Sequence, residues 1–172
     1  VEEVRLDDGT RAARKVFDPS PRMNLAGPEL AKAQLRFANE VRMQRELATH
    51  GGFPVLFDAL GETPPWFVMP IAERSYETQI ADDRAAGNVS HGPLVDILSA
   101  LEAMHRLDFV HRDLKPANAL FLDKRWRLSD FGLAMNPTGS MTTRLTSTGS
   151  GWGSVPYMAP EQTTNFKRVR PT

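Results

Sequence analysis

Between a predicted apolar helix and a predicted apolar strand lies a dense polar run, His111-Arg112-Asp113-Leu114-Lys115-Pro116-Ala117-Asn118. Five of its eight side chains are polar or charged. Polar groups beside buried elements need mutual partners or a ligand to offset the cost of leaving water. The run therefore predicts either an internally bonded loop or a ligand site.

Two acids and an amide in this region suit the binding of a cation. Asp113 and Asn118 lie in the polar run, and Asp130 begins the triplet Asp-Phe-Gly after the next strand pattern. Their oxygens are of the type that holds a hard cation such as Mg²⁺, and Lys115 can neutralise phosphate oxygens. Each acid alone also fits a structural interpretation, Asp113 as a turn cap and Asp130 as a solvated strand end. Together these residues predict a phosphoryl-transfer site.

The segments that flank the polar run have regular patterns. A helix is predicted from Gly92-Pro93 to His105-Arg106. Its apolar stripe consists of Leu94, Ile97, Leu98, Leu101 and Met104. Residues 119–122 and 125–128 are predicted to form two short strands around a turn at 123–124.

The first 70 residues predict a small sheet that carries one helix. We expect a hairpin over residues 1–6 and 11–17, an amphipathic helix over 29–48, and strands over 55–60 and 66–69. After Pro70 the pattern becomes mainly helical. We therefore predict an α+β fold with an N-terminal lobe over residues 1–70 and a C-terminal lobe over residues 71–172.

Charge and composition limit the classes of partner and site. The chain has 21 Lys and Arg against 21 Asp and Glu, so we expect neither nucleic acid nor a membrane as a partner of these residues. It has no cysteine, which excludes disulfides and thiolate metal sites and suits a reducing cytosol. No apolar run approaches the roughly 18 residues of a membrane helix. We expect a cytoplasmic protein, or the cytoplasmic side of a membrane protein if an anchor lies outside these residues.

Three motifs, in order along the chain, resemble one family. They are HRDLKPAN at 111–118, DFG at 130–132 and APE at 159–161. They look like the catalytic loop, magnesium loop and activation-segment end of a eukaryotic-type (Hanks-type) protein kinase. Lys115 marks the serine/threonine type of loop, and residues 157–162 are similar to bacterial members. The resemblance implies a bilobal kinase fold, ATP and Mg²⁺ as cofactors, and a Ser or Thr hydroxyl of a protein as the acceptor.

The resemblance also implies a role for each polar side chain of the two loops. Asp113 would orient the substrate hydroxyl, and Lys115 would steady the γ-phosphate. Asn118 and Asp130 would bind the Mg²⁺ ions. Because these roles depend on position and charge, we expect all four residues at one cleft.

The first half of the chain contains a candidate ion pair. Residues 13–16 resemble the family's strand whose lysine holds the α- and β-phosphates of ATP, which makes Lys15 the candidate. Glu40 lies on the packed face of the long helix, where a carboxylate needs a cationic partner. We expect these two residues to pair; the alternative is two unrelated surface charges.

An adenine site is implied around the link between the lobes. Met69 would lie at its back, Pro70 would offer its carbonyl, and Ala72 would donate its amide. The other residues implied for this site are Ala13, Leu120 and Val1. Simple core packing is the alternative interpretation of these apolar residues.

Arg112 and a Ser/Thr-rich stretch indicate possible regulation. Nine of the 17 residues from 138 to 154 are Ser or Thr, so a mobile loop is expected there. In the family, an arginine beside the catalytic Asp docks a phosphorylated activation loop. The regulatory candidates are Thr148, Ser150 and Ser154; an unmodified linker is the alternative. The neighbouring His111 is expected to pack in the core against Phe131.

The chain departs from the family pattern at three places. No glycine-rich phosphate loop precedes Val1, and the chain stops 11 residues after Glu161. We therefore expect a domain that is incomplete at both ends and inactive by itself. Gln44 stands where the family usually has an apolar residue, which would weaken the packing there.

Two other functions are compatible with these departures. One is a pseudokinase or scaffold module that binds nucleotide or protein, although such modules commonly lose Lys15, Asp113 or Asp130, all of which are present. The other is a small-molecule phosphotransferase. The long Ser/Thr loop and the APE triplet argue against that function, because a diffusible substrate needs no peptide-docking segment.

Overall fold

The computed structural model describes residues 1–18, 27–54, 58–60, 64–135 and 154–165. The loop predicted over residues 138–154 lies outside these ranges except for Ser154, so Thr148 and Ser150 lie outside the described residues. The first half of the strand predicted over 55–60 also lies outside them.

A four-stranded antiparallel sheet forms the first part of the chain. Its strands are β1 (Glu2–Arg5), β2 (Arg11–Val16), β3 (Asp58–Leu60) and β4 (Trp66–Pro70), in the order β1-β2-β4-β3. The predicted β1–β2 hairpin is confirmed, and Gly9, with a φ of 85°, permits its tight turn. Ala13 on β2 lies opposite Met69 on β4.

Helix α1 (Pro28–Ala48) confirms the helix predicted over residues 29–48. Pro28 lies in its first turn, where an N–H has no partner within the helix in any case. The buried residues of α1 are Phe37, Glu40, Met43, Gln44 and Leu47. Two of these five are polar, and buried polar side chains require hydrogen-bond partners. Those partners lie at the candidate site.

The second part of the chain combines helices with a smaller antiparallel sheet. The strands β5 (Arg74–Ser75), β6 (Ala119–Leu122) and β7 (Arg125–Leu128) lie in that order. The helices are α2 (Tyr76–Ala85), α3 (Gly92–Arg106) and α4 (Pro160–Asn165). Strands β6 and β7 and helix α3 confirm the predictions.

Strand β5 and helix α2 were not predicted from the sequence. Helix α2 has no buried residue, so it lacks the apolar stripe by which an amphipathic helix is recognised. A local signal is nevertheless present at its start, because the Ser75 hydroxyl accepts a hydrogen bond from the Thr78 N–H at 3.2 Å.

The buried face of α3 differs from the predicted stripe. The structure buries Pro93, Ile97, Ala100 and Met104, whereas Leu94 is 44% and Leu98 is 64% exposed. The buried set lies against β7 and the segment after α1. Two neighbouring rows of this helix are apolar, and only its packing partners decide which row is covered.

The segment that follows α1 is bonded to the second part of the chain. Gly52 has a φ of 73°, and a Cβ on it would lie 3.0 Å from the Ala100 Cβ, so the residue must be small. The Leu128 N–H donates to the Gly52 carbonyl at 3.0 Å, and Arg127 Nη1 donates to the Phe53 carbonyl at 3.1 Å. These contacts hold the end of α1 against β7.

One buried apolar cluster includes side chains from both parts of the chain. Its members include Leu47 and Phe53 from the first part, and Met104, Phe109, Trp126, Leu128 and Phe131 from the second. The α+β class predicted from the sequence is confirmed. The lobe boundary at residue 70 remains a prediction. None of the helices in the described ranges has both the length and the apolar character needed to cross a bilayer.

Candidate active site

The polar run at 111–118 is held by hydrogen bonds between its own side chains. The Lys115 ammonium lies 2.9 Å from Asp113 Oδ2, and Asn118 Nδ2 donates to the same oxygen at 3.1 Å. Asn118 Nδ2 also donates to the Asp113 carbonyl at 2.8 Å. Asn118 is buried in the turn before β6. These bonds fix the Asp113 carboxylate relative to the start of β6.

The other oxygen of Asp113 is contacted from much later in the chain. Ser154 donates to Asp113 Oδ1 from its backbone N–H at 3.1 Å and from its hydroxyl at 3.3 Å. Ser154 is one of the regulatory candidates, and its sequence context does not predict this contact. A separation of 41 residues leaves no periodic signal by which the pair could have been recognised.

His111 packs as predicted from the resemblance. One of its ring nitrogens, Nε2, lies 3.0 Å from the Ser129 carbonyl, and its ring centroid is 5.4 Å from that of Phe131. Burial lowers the pKa of His111, so the imidazole is neutral at physiological pH. It supports the residue that precedes Asp130.

Lys15 contacts two carboxylates that come from distant segments. Its Nζ lies 2.5 Å from Glu40 Oε1 on α1 and 3.2 Å from Asp130 Oδ1 after β7. The side chain of Glu40 is only 4% exposed, whereas that of Asp130 is 44% exposed. Asp130 has a φ of 65°, a conformation that residues other than glycine rarely adopt. The structure therefore brings Lys15 and Glu40 together and adds Asp130 to the pair.

The charges of Lys15 and Asp130 stabilise each other, whereas burial and the nearby Asp130 charge raise the pKa of Glu40 above its ordinary value. Burial acts to lower the pKa of Lys15, but Glu40 and Asp130 outweigh it, and the pKa lies above its ordinary value. Burial acts to raise the pKa of Asp130, but the charge and hydrogen bond of Lys15 outweigh it, and the pKa lies below its ordinary value. Both groups are therefore ionised near neutral pH.

A cavity of about 330 Å³ opens beside this cluster. Its lining includes all eight residues predicted to bind ATP: Val1, Ala13, Lys15, Glu40, Met69, Pro70, Ala72 and Leu120. Asn118 and Asp130 also line it. The lining is completed by five residues that were not predicted as site residues: Gln44, Phe67, Ile71, Ala117 and Ser129. The wall thus combines apolar side chains with the contacting charges of Lys15, Glu40 and Asp130, as is typical of a ligand site.

Gln44, at a position where the family usually has an apolar residue, is buried with its side-chain amide hydrogen-bonded. The residue is 1% exposed, and its Nε2 donates to the Pro54 carbonyl at 3.2 Å. The same nitrogen lies 3.8 Å from Met69 Sδ. Because the buried amide donor is satisfied, the loss of packing expected for this position is offset by a polar contact between α1 and the segment before β3.

Comparison with known proteins identifies the family to which this arrangement belongs. The family model described as protein kinase domain matches residues 27–170. The chain belongs to the protein kinase family. The kinase resemblance drawn from the three motifs is thereby confirmed; in this family the domain generally uses ATP and a divalent metal and acts on a protein substrate.

The relatives of this kinase domain include serine/threonine kinases from several bacteria. A DNA damage-responsive serine/threonine-protein kinase, RqkA of Deinococcus radiodurans, is 37% identical over 74% of this chain and 20% of its own length. Serine/threonine-protein kinase PknK of Mycobacterium tuberculosis is 32% identical over 88% of this chain and 14% of its own length. Serine/threonine-protein kinase AfsK of Streptomyces griseus is 42% identical over 42% of this chain and 9% of its own length. The kinase domain thus spans at most a fifth of the length of these relatives.

Two side chains of the kinase domain fit the binding of a divalent cation. Both described hydrogen bonds of the Asn118 side chain use its amide nitrogen, which leaves its oxygen suited to a metal. Asp130 adds a partly exposed carboxylate. Among the described residues, no group of three or more His, Asp or Glu is arranged as a metal site. Magnesium commonly takes one or two protein oxygens and completes its shell with phosphates and water, and this pair of residues matches that pattern.

Arg112 has a constrained backbone and a half-buried side chain. Its φ is 65°, and its Nε donates to the Leu133 carbonyl at 2.6 Å. Burial, together with the nearby charge of Arg36 on α1, lowers the pKa of Arg112 to about 10. Even so, the Arg112 guanidinium is charged at physiological pH. Arg36 is a second positive charge near it.

Proposed function

We propose that this kinase domain transfers the γ-phosphate of ATP to serine or threonine hydroxyls of protein substrates. The observation that carries the proposal is that Lys15, Asn118 and Asp130, from three segments, line one cavity, and that Asn118 is hydrogen-bonded to the Asp113 carboxylate. Phosphoryl transfer depends on positioning and on charge stabilisation, which these side chains can supply together. The names of the relatives support the acceptor class.

The apolar part of the cavity is proposed to hold the adenine ring. Ala13 and Leu120 would lie on its two faces, and Met69 would lie at its back. The Pro70 carbonyl would accept a hydrogen bond from the edge of the ring, and the Ala72 N–H would donate one to it. Proline can take this position because it lacks only the backbone N–H and keeps its carbonyl. Lys15, held by Glu40, is proposed to contact the α- and β-phosphates.

The polar end of the cavity is proposed to carry the transfer. Asn118 and Asp130 would hold Mg²⁺, which supplies charge stabilisation at the phosphates when it is bound. Lys115 would steady the γ-phosphate. Asp113, which is held at both carboxylate oxygens, would accept the hydrogen bond of the substrate hydroxyl and orient it for in-line attack.

Phosphorylation of the Ser/Thr-rich stretch is proposed to regulate this activity. Arg112 is suited to dock a phosphate on Thr148 or Ser150, and the nearby Arg36 adds to the positive potential. For Ser154, the hydrogen bonds to Asp113 support a positioning role in addition to the regulatory role proposed from the sequence.

The direct test is phosphate transfer by the full-length parent protein. Wild type and Asp113→Asn are incubated with radiolabelled Mg-ATP and a generic basic protein, and incorporation into Ser and Thr is measured. We expect the substitution to lower transfer by at least about 10²-fold. As a matched control, Asp123→Asn changes an exposed acid in the β6–β7 turn and leaves transfer unchanged.

Two outcomes would contradict the proposal in different ways. Equal transfer by wild type and Asp113→Asn would show that the site is not catalytic. Tight binding of Mg-ATP by wild type without transfer would favour a nucleotide-binding scaffold instead.

A further inference from the structure

Gln162 in α4 uses both ends of its side-chain amide. Its Oε1 accepts a hydrogen bond from the Ala159 N–H at 3.1 Å, and its Nε2 donates to the Arg112 carbonyl at 2.8 Å. The second contact spans 50 residues and joins the segment at 154–165 to the catalytic loop.

The first of these bonds stabilises the start of the helix. Ala159 precedes α4, and Gln162 is the third helical residue. A Gln or Glu at that position commonly reaches back to the N–H of the capping residue. A carboxylate could replace the amide in this contact, so the helix start by itself does not require Gln.

The second bond requires the amide. The Arg112 carbonyl belongs to the peptide unit that joins Arg112 to Asp113. Arg112 has left-handed backbone dihedrals, with a φ of 65°, which residues other than glycine rarely adopt, so contacts from outside the loop are needed to hold it. Gln162 supplies such a contact, and its N–H donates where a carboxylate oxygen would repel the carbonyl.

The same segment also holds the Asp113 carboxylate. Ser154 bonds Asp113 Oδ1, and Gln162 bonds the carbonyl of the preceding residue. The peptide and the carboxylate of the proposed catalytic residue are thus both bonded to residues 154–162.

We propose that Gln162 is a positioning residue that fixes the Arg112–Asp113 peptide and thereby the orientation of the Asp113 carboxylate. The inference rests on the proposed kinase function. Gln162 does not line the nucleotide cavity, so we expect its substitution to leave nucleotide binding unchanged.

The test compares two substitutions of Gln162 in the full-length parent protein. Gln162→Glu keeps the acceptor for Ala159 and removes the donor to Arg112, whereas Gln162→Leu removes both. We expect Gln162→Glu to lower kcat about tenfold while KM for ATP stays within about twofold of wild type. Gln162→Leu lowers kcat at least as much. Thr163→Ala is the matched control, because its hydroxyl bonds the Pro160 carbonyl in the same helix, and it leaves kcat unchanged.

Binding of Mg-ATP and thermal melting are measured for every variant. Gln162→Glu with wild-type kcat overturns the inference. A Gln162→Glu protein that loses nucleotide binding together with kcat also overturns it, because a positioning role leaves the cavity intact. An inactive wild type overturns the proposed function and this inference with it, whereas an active wild type with an unaffected Gln162→Glu variant overturns this inference alone.

Discussion

Ser154 donates two hydrogen bonds to one carboxylate oxygen of Asp113, from its backbone N–H at 3.1 Å and from its hydroxyl at 3.3 Å. Lys115 and Asn118 bond the other oxygen at 2.9 and 3.1 Å. The carboxylate is therefore held from two segments of the chain. A carboxylate fixed in this way is prepared to orient a hydroxyl without first reorganising.

Removal of the Ser154 hydroxyl should reduce turnover only in part. Ser154→Ala keeps the backbone N–H bond, so we expect kcat to fall about three- to tenfold, the effect of one hydrogen bond. Ser154→Thr keeps the hydroxyl and should retain most of the activity. Steady-state kinetics of the full-length protein test this, with Ser99→Ala as control, because the Ser99 hydroxyl donates to the Val95 carbonyl of its own helix. Full activity in Ser154→Ala would show that the hydroxyl bond is dispensable.

Substitution of Lys15 should affect stability as well as nucleotide binding. Lys15→Met leaves the buried Glu40 carboxylate without its described cation, and we expect a loss of about 3 kcal/mol in the free energy of unfolding. Adding Glu40→Gln should recover part of that loss without recovering Mg-ATP binding. Urea denaturation and a nucleotide-binding titration measure the two effects.

A partly exposed lysine of α1 provides the comparison for this experiment. Lys32 pairs with Glu29 at the surface, and Lys32→Met should cost less than about 1 kcal/mol. A Lys15→Met protein as stable as Lys32→Met would show that the buried pair does not contribute to folding.

His111 should make stability depend on pH. Burial lowers the pKa of His111 in the folded state, so the unfolded chain binds a proton that the folded chain does not. This contribution is complete above the unfolded pKa of about 6.5 and is lost as the pH falls below it, with a limiting slope of about 1.4 kcal/mol per pH unit.

Comparison with a variant isolates the contribution of this histidine. The free energy of unfolding is measured between pH 5 and 7 for wild type, His111→Asn and the exposed-site control His91→Asn. We expect the wild-type slope to exceed that of His111→Asn and to match that of His91→Asn. Identical slopes for all three proteins would contradict a buried neutral imidazole.

Asp130 should control metal-dependent nucleotide binding. Asp130→Asn removes the carboxylate proposed to hold Mg²⁺ and one of the two carboxylates beside Lys15. We expect transfer to fall by at least about 10²-fold and chelation of divalent ions to abolish wild-type transfer. ATP binding is titrated with and without Mg²⁺. Wild-type binding that is insensitive to Mg²⁺ would argue against a metal role for Asp130.

Elements with a strong local pattern could be predicted, and those without one could not. The hairpin of β1 and β2 follows from an Asp-Gly turn between alternating residues, and α1 follows from its apolar period. Helix α2 has no buried residue and therefore no period to detect. In α3 the pattern predicted the helix but not its covered face, because Leu94 and Leu98 form a second apolar row that no described neighbour covers fully.

The candidate site shows the same distinction between local and long-range information. The sequence alone specified which chemical groups are available, because the acids, the amide and Lys115 lie in short contiguous motifs, HRDLKPAN at 111–118 and DFG at 130–132. Folding decided that Ser154 meets Asp113, that Gln162 meets the Arg112 carbonyl, and that Gln44 meets the Pro54 carbonyl. Every residue has a backbone carbonyl, so a side chain that bonds one leaves no pattern in the sequence. Partners 41 and 50 residues apart meet only when long-range packing places their segments side by side.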